Sequence, residues 1–220
     1  MGPPVRRVVV AIDGPAGSGK STLAVRLAAH LDLPYVNTGL MYRALTASAL
    51  GRKVGLEDGP RLADLAADLR FDLDWNLTPP GLTIDGGAPG EELVAPDVEE
   101  AVSAVSSRPA VRAVMAEAQR RLGSEGAVME GRDIGSVIFP DADVKLFLEA
   151  PPDERRLRRH LERGDRAADD VADRDELDSR VNPFVPAPGA VSIDTTGRSA
   201  DEVFEAALAA VLERLERDRA

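Results

Sequence analysis

Cysteine is absent from the 220-residue chain, and the sequence contains only two histidines. The missing thiols exclude disulfide bonds, zinc–thiolate sites and a cysteine nucleophile, and two imidazoles are too few for a multi-histidine metal centre. No apolar run approaches the roughly 18 residues of a membrane-spanning helix. The first residues also lack the apolar stretch of a secretion signal. We therefore expect a cytoplasmic protein without a membrane partner.

Basic residues are in deficit, with 27 Lys and Arg against 38 Asp and Glu, for a formal net charge of −11. A surface of this sign repels nucleic acid polymers, so sequence-independent binding of DNA or RNA is disfavoured. A small phosphorylated ligand is still compatible, because a few cations can be concentrated locally. The hydrophobic fraction of 44% supports a packed core. With no exposed apolar stripe in the pattern, we expect a monomer.

The chain opens with a strand, a glycine-rich turn and a helix. Residues 8–12 form a continuous apolar run rich in valine, which is typical of a parallel strand buried on both faces. Leu23, Leu27 and Leu31 then recur every four residues, as on one face of a helix. Apolar runs typical of strands alternate with segments of helical periodicity through most of the chain. They predict an α/β fold with a five-stranded parallel sheet flanked by helices, in which ligands bind at the carboxyl ends of the strands.

The region from about residue 53 to 95 has a different pattern and indicates an insertion. Residues 71–75 and 82–85 alternate apolar and polar side chains with proline and glycine between them, which predicts a small, half-exposed β-hairpin. Trp75 is expected to anchor the core of this hairpin. The whole chain, 1–220, is expected to form a single domain. Apart from the insertion, it consists of a core of about 1–52, 96–152 and 186–220 and a short mobile lid at about 153–185.

A phosphate-binding motif joins the first strand to the first helix. It reads Gly14-Pro15-Ala16-Gly17-Ser18-Gly19-Lys20-Ser21, followed by Thr22. Its backbone N–H groups and the helix N-terminus would surround phosphate oxygens. Lys20 would reach the β- and γ-phosphates, and the Ser21 hydroxyl would bind Mg²⁺. The sequence therefore predicts a site for ATP and magnesium. A guanine-reading Asn-Lys-x-Asp tetrad is absent, so a GTPase is not expected.

Two arginines follow the carboxyl ends of other predicted strands. Arg43 comes shortly after the strand at 33–37, and Arg132 follows the strand at 127–129. Guanidinium groups bind phosphate bidentately. Two of them beside a phosphate loop therefore favour a second phosphate group, as carried by a phosphorylated acceptor.

Taken together, these motifs resemble the bacterial cytidylate kinase family over nearly the whole chain. The matching segments, in order, are 12–22, Thr-Gly-Leu-Met-Tyr-Arg at 38–43, 101–112, Glu-Gly-Arg-Asp-Ile-Gly at 130–135, Arg-Asp-Glu-Leu-Asp-Ser at 174–179, and Ile-Asp-Thr-Thr at 193–196. Val94 departs from the pattern, because the family often has arginine there. The lid is also shorter than the family's by about two residues.

The resemblance implies transfer of the γ-phosphoryl group of ATP to CMP or dCMP. It assigns the acceptor phosphate to Thr38, Arg43 and Arg132, the cytosine ring to Ser103, Arg112 and Asp133, and the sugar hydroxyls to Arg174 and Asp178. The inserted hairpin would be the family's enlarged nucleotide-binding insert.

Positioning and charge neutralisation supply most of the catalysis of phosphoryl transfer. The catalytic groups expected here are Lys20 and three arginines of the lid, Arg155, Arg159 and Arg174, which would reach the donor phosphates when the lid closes. Closure would also keep water away from ATP.

Two alternatives stay open at this stage. One is a different small-molecule kinase, of the UMP or shikimate type, which the combination of Ser103, Arg112 and Asp133 disfavours. The other is a non-enzymatic nucleotide-binding regulator, which needs neither Lys20 nor a second phosphate site.

Overall fold

The computed structural model describes residues 7–163 and 184–217. Its strands are β1 (Val9–Asp13), β2 (Tyr35–Asn37), β3 (Phe71–Asp74), β4 (Gly81–Ile84), β5 (Ala127–Gly131), β6 (Val144–Glu149) and β7 (Val191–Asp194). Its α-helices are α1 (Lys20–Leu31), α2 (Thr38–Gly51), α3 (Gly59–Asp68), α4 (Pro96–Ser106), α5 (Pro109–Gly123), α6 (Pro152–Arg163) and α7 (Ala200–Arg217). A 3₁₀ turn spans Glu91–Val94 and a π-helical turn spans Ile134–Ile138.

The strands form one sheet in the order β3-β4-β2-β5-β1-β6-β7. The five strands from β2 to β7 in this order are all parallel, which confirms the predicted parallel core. The sheet has seven strands and not the predicted five, because the hairpin β3–β4, which was expected to lie apart from it, joins the same sheet. Tyr35 pairs with Gly81 in parallel, and the Tyr35 N–H donates to the carbonyl of Pro80 at 2.8 Å. The inserted hairpin therefore extends the sheet at its β2 edge.

Helices cover both faces of the sheet. Val10 and Ile12 of β1 pack in a cluster with side chains of α1 and α7. Ala11, between them, faces the opposite cluster, which contains side chains of α2, α3 and α5. Successive strand residues point to opposite faces, so a continuous apolar run is required where both faces are buried. The valine-rich sequence of the first strand is explained by this arrangement.

The hairpin is anchored by Phe71 and not by Trp75. Phe71 is 1% exposed and packs in the core with Leu82 of the partner strand, whereas Trp75 is 64% exposed. Strand β3 ends at Asp74, so Trp75 lies in the turn beyond the alternating pattern. The expectation for Trp75 was wrong because the strand is one residue too short to turn the indole toward the core.

The first part of the predicted lid is the regular helix α6. Arg174 and Asp178, the remaining lid residues with an expected role, lie outside the described residues. In the two described ranges, no helix combines the length and the apolar character that crossing a membrane requires.

Candidate functional site: adjacent strand ends carry the donor and acceptor groups

Three parallel strands end side by side at one edge of the sheet. Asp13 at the end of β1 is in register with Gly131 of β5, and Asn37 of β2 is in register with Glu130. The segments that follow are the phosphate loop, the turn at Arg132 and helix α2. The predicted phosphate loop and both predicted phosphate-binding arginines are therefore anchored on neighbouring strands, as expected for ligand sites in open α/β sheets.

The phosphate loop is held in a conformation that only glycine accommodates at Gly17. Its φ is +73°, and a Cβ atom there would lie 2.7 Å from the backbone oxygen of Arg155. Lys20 begins helix α1, and its Nζ donates to the carbonyl of Pro15 at 2.6 Å, so its ammonium lies over the loop. The hydroxyl of Ser18 is buried and finds no hydrogen-bond partner among the residues described. A phosphate oxygen in the loop would suit that hydroxyl.

Glu130 is a further site residue, and its role was not predicted from the sequence. Its buried carboxylate accepts one hydrogen bond from the Ser21 hydroxyl at 3.0 Å and another from the Tyr35 hydroxyl at 2.5 Å. Burial, together with the nearby negative charge of Glu130, raises the pKa of Tyr35, so the phenol keeps its proton. The feature of the sequence that could have indicated this role is the position of Glu130, an acidic residue near the end of the strand that pairs with β1. Carboxylate and hydroxyl oxygens are the ligands that Mg²⁺ prefers, so Ser21 and Glu130 fit this ion.

Asp13 joins the phosphate loop to the turn that follows β5. Its two carboxylate oxygens accept hydrogen bonds from the backbone N–H groups of Ile134 and Gly135, each at 2.8 Å. Burial raises the pKa of Asp13 to about 6, although the two N–H donors oppose the shift. The carboxylate thus fixes the turn that carries Arg132 and Asp133.

Two of the three residues expected to read cytosine form an ion pair. Arg112 of α5 donates to the Oδ2 atom of Asp133. Tyr42 lies beside this pair and hydrogen bonds to Gln119; burial is the main cause that raises the pKa of Tyr42 to about 12. Ser103, the third predicted residue, is buried on α4. Asp133 makes no side-chain cap to the π-helical turn that it precedes, so its carboxylate serves the contact with Arg112 instead.

Arg43 and Arg159 meet on one carboxylate. The Nη1 atom of Arg43 lies 2.6 Å from Oε2 of Glu99, and Arg159 donates through Nη2 to Oε1 of the same side chain. Arg43 also donates to the carbonyl of Leu93 at 3.1 Å. All three charged side chains are buried. The triad brings together helices α2, α4 and α6.

Two more of the arginines expected in the site, Arg155 and Arg132, contact the backbone of the phosphate loop. Arg155 donates to the carbonyls of Ala16, at 3.1 Å, and Ala150, at 3.0 Å. Arg132 donates to the carbonyl of Gly14 at 2.8 Å. Thr38 instead donates to the carbonyl of Glu130 at 2.8 Å, at the start of α2. The side chains of Arg155 and Arg132 therefore brace the loop from two sides.

A phosphate loop on β1, flanked by acidic and arginine-bearing strand ends, is the arrangement of P-loop kinases that phosphorylate small molecules. The comparisons with known proteins narrow this class. The cytidylate kinase family model matches residues 10–213. The chain is 43% identical to the cytidylate kinase of Rhodococcus jostii over 94% of this chain and 96% of that one. It is 41% identical to the cytidylate kinase of Anoxybacillus flavithermus over 96% of this chain and 99% of that one.

The chain therefore belongs to the cytidylate kinase family. Among solved structures, an uncharacterized protein from Eubacterium ventriosum resembles it with a TM-score of 0.52 and 12% sequence identity, covering 93% of this chain and 98% of the other. At that identity the likeness concerns the fold alone.

Proposed function

We propose that this member of the cytidylate kinase family transfers the γ-phosphoryl group of ATP to CMP or dCMP, giving ADP and the nucleoside diphosphate. The observation that carries the proposal is the pairing of Asp13 with Gly131, which sets the phosphate loop beside the Gly-Arg-Asp turn. Donor and acceptor groups then leave the sheet from adjacent strands. In-line transfer requires this proximity.

The donor side binds ATP. Its residues are Gly14, Pro15, Ala16, Gly17, Ser18, Gly19, Lys20, Ser21 and Thr22. Lys20 neutralises charge on the transferring phosphoryl group, and backbone N–H groups at the start of α1 hold the phosphate oxygens. Arg155 supports this loop through its bond to Ala16. When bound, Mg²⁺ neutralises phosphate charge, and Ser21 and Glu130 would hold it.

The acceptor side recognises cytosine through hydrogen-bonding side chains. These side chains find partners on cytosine, and at least one of them would be left unpaired by another base. Asp133 accepts from the N4 amine of cytosine, while Arg112 and Ser103 donate to its N3 and O2 acceptors. Uracil presents an oxygen where cytosine has the amine, so the carboxylate of Asp133 would face a lone pair. A site built on a required hydrogen bond rejects such an analogue strongly.

The rest of the acceptor is bound by other residues. Its phosphate group is received by Thr38, Arg43 and Arg132, and its sugar hydroxyls are received by Arg174 and Asp178.

A coupled assay of ADP release over CMP, dCMP, UMP, AMP and shikimate tests the proposal. We expect CMP and dCMP to have the highest kcat/KM. Faster turnover of UMP or shikimate would contradict the assignment of the acceptor. Binding of ATP without turnover of any acceptor would identify a regulator instead.

The acceptor role of Arg132 has its own test, Arg132→Met, because this side chain also contacts the donor loop at Gly14. We expect CMP affinity to fall far more than ATP affinity when each is titrated separately. A selective loss of ATP affinity would show that the contact with Gly14 is the functional one. The cytoplasmic location and the monomeric state remain predictions from the sequence.

A further inference from the structure

Helix α6 carries two buried arginines that contact different parts of the site. Arg155 donates to the phosphate loop at Ala16, whereas Arg159 donates to Glu99 on α4. Residues four apart on a helix lie on one face, one turn from each other. The helix therefore begins against the donor loop and, one turn later, reaches the acceptor half of the site. In this structure the two arginines therefore have different partners, the phosphate loop for Arg155 and Glu99 for Arg159.

Glu99 defines where Arg159 lies. The same carboxylate binds Arg43, which belongs to α2, the helix that begins at the end of β2. The side chains of Arg43, Glu99 and Arg159 are only 7%, 7% and 8% exposed. Two guanidinium groups share one anion in an environment with little solvent, where ion pairs are weakly screened. Without the carboxylate, the two cations would repel each other.

Proteins also bind phosphate groups with arginine pairs, in the same way that Arg43 and Arg159 bind the carboxylate of Glu99. A nucleoside monophosphate brings an anion with more oxygens and more charge than a carboxylate. A phosphate group that reaches Arg43 would therefore arrive within reach of Arg159 as well.

We propose that Arg159 binds the acceptor phosphate together with Arg43, and that Glu99 is the positioning residue that brings Arg159 to the acceptor side. This inference rests on the proposed function, because Arg43 is taken to face the acceptor. It replaces the donor role expected for Arg159 from the sequence. The active site then has a cation from α6 on each side, with Arg155 at the donor loop and Arg159 at the acceptor.

The experiment compares ligands that differ only by the phosphate. Dissociation constants of CMP, cytidine and ATP are measured by calorimetric titration for the wild type and for Arg159→Met, Arg159→Lys and Glu99→Gln. For Arg159→Met we expect CMP binding to weaken by roughly tenfold or more, with cytidine and ATP changed less than about twofold. Arg159→Lys keeps the charge and should recover part of the CMP affinity. Glu99→Gln should weaken CMP relative to cytidine by a smaller factor, because Arg159 is no longer held in place.

Two exposed residues on the same helices provide matched controls. Arg156→Met removes the same charge from α6, and Glu100→Gln makes the same change on α4. Neither should alter the ratio of CMP to cytidine affinity. A general structural role for Arg159 would instead weaken CMP and cytidine equally.

The inference is overturned if Arg159→Met weakens ATP while CMP affinity is kept, or if CMP and cytidine weaken in parallel. A rise in CMP affinity in Glu99→Gln would likewise refute the positioning role, since Glu99 would then be a competitor of the phosphate. Failure of the proposed function looks different. In that case the wild type does not phosphorylate CMP at all, whatever the variants do to binding.

Discussion

The donor and acceptor sides of the site are built in different ways. On the donor side, the phosphate loop is one continuous segment, and Lys20 contacts a carbonyl only five positions earlier. On the acceptor side, Arg43 and Arg159 meet Glu99 from 56 and 60 positions away, and Arg112 reaches Asp133 across 21. The donor side uses the backbone and local geometry. The acceptor side uses charged side chains that are already paired with one another.

This difference has a functional consequence. A backbone cradle of N–H groups is generic for phosphates, so it suits a common donor such as ATP. Paired side chains can present a defined set of donors and acceptors to one base, and each pair holds the orientation of its partner. Selectivity is therefore expected to reside on the acceptor side, and transfer chemistry on the donor side. Four substitutions separate the two contributions.

Lys20→Ala tests the donor side and should have the largest effect. Removing one preorganised charge from the transition state typically lowers kcat by about 10²–10³-fold, and we expect a loss of at least this size. The melting temperature should stay near that of the wild type, because glycine geometry and the Arg155 contact hold the loop. A kcat near the wild-type value in a normally folded variant would contradict the role of Lys20.

Asp13 connects the two sides, because it ends the strand that leads to the donor loop and its carboxylate accepts hydrogen bonds from the acceptor-side turn. Asp13→Asn tests how much this connection contributes to stability. Burial raises the pKa of Asp13 from 3.8 to about 6 in the folded protein. The folded state therefore binds a proton more tightly than the unfolded chain. The resulting stabilisation is full below about pH 4 and is lost as the pH rises through about 6, to a total of up to ~3 kcal/mol.

Urea denaturation from pH 4 to pH 7 measures this effect. The free energy of unfolding of the wild type, minus that of Asp13→Asn, should decrease as the pH rises. The asparagine also loses an acceptor for one backbone N–H, but that cost does not depend on pH. A difference that stays constant, or one that grows with pH, would mean that the pKa of Asp13 is not raised.

Asp133→Asn tests selectivity on the acceptor side. The amide can donate as well as accept, so it could pair with the O4 oxygen of uracil. Losing a hydrogen bond to a charged group costs ~1.5–3 kcal/mol, or about ten- to a hundredfold in kcat/KM for CMP. The loss for UMP should be smaller, or reversed. Equal losses on both nucleotides with a lower melting temperature would assign Asp133 a structural role in holding Arg112.

Tyr35→Phe should have the smallest effect, because it removes a single hydrogen bond to Glu130. Such a bond contributes ~0.5–1.5 kcal/mol. The carboxylate would be less well oriented toward Ser21. We expect a higher Mg²⁺ concentration at half-maximal activity, together with a melting temperature a few degrees lower. A fall in stability with an unchanged Mg²⁺ requirement would show that Glu130 does not act on the ion.

The same contrast explains how far the sequence could predict the site. Local periodicity and the spacing of glycines were sufficient for the phosphate loop and for the five parallel strands, because each depends on residues next to one another in the chain. The hairpin was predicted, but its attachment to the main sheet was not, since that depends on the pairing of Tyr35 with Pro80 and Gly81, which are distant from it in the chain. Trp75 was misplaced because β3 ends at Asp74, one residue before the alternating pattern does, so the indole lies in an exposed turn.

The sequence by itself determined which chemical groups are available: a lysine and hydroxyls in a glycine-rich loop, arginines after strand ends, and an acidic residue in the Gly-Arg-Asp turn. Only the tertiary structure decided how they are partnered. Glu99 gave no signal in the sequence, because a glutamate in the first turn of a helix is ordinarily a solvated residue at a favourable end of the helix dipole. Packing of α2, α4 and α6 buries it between Arg43 and Arg159. Burial makes that pairing obligatory, because a charge removed from water needs an opposite charge beside it.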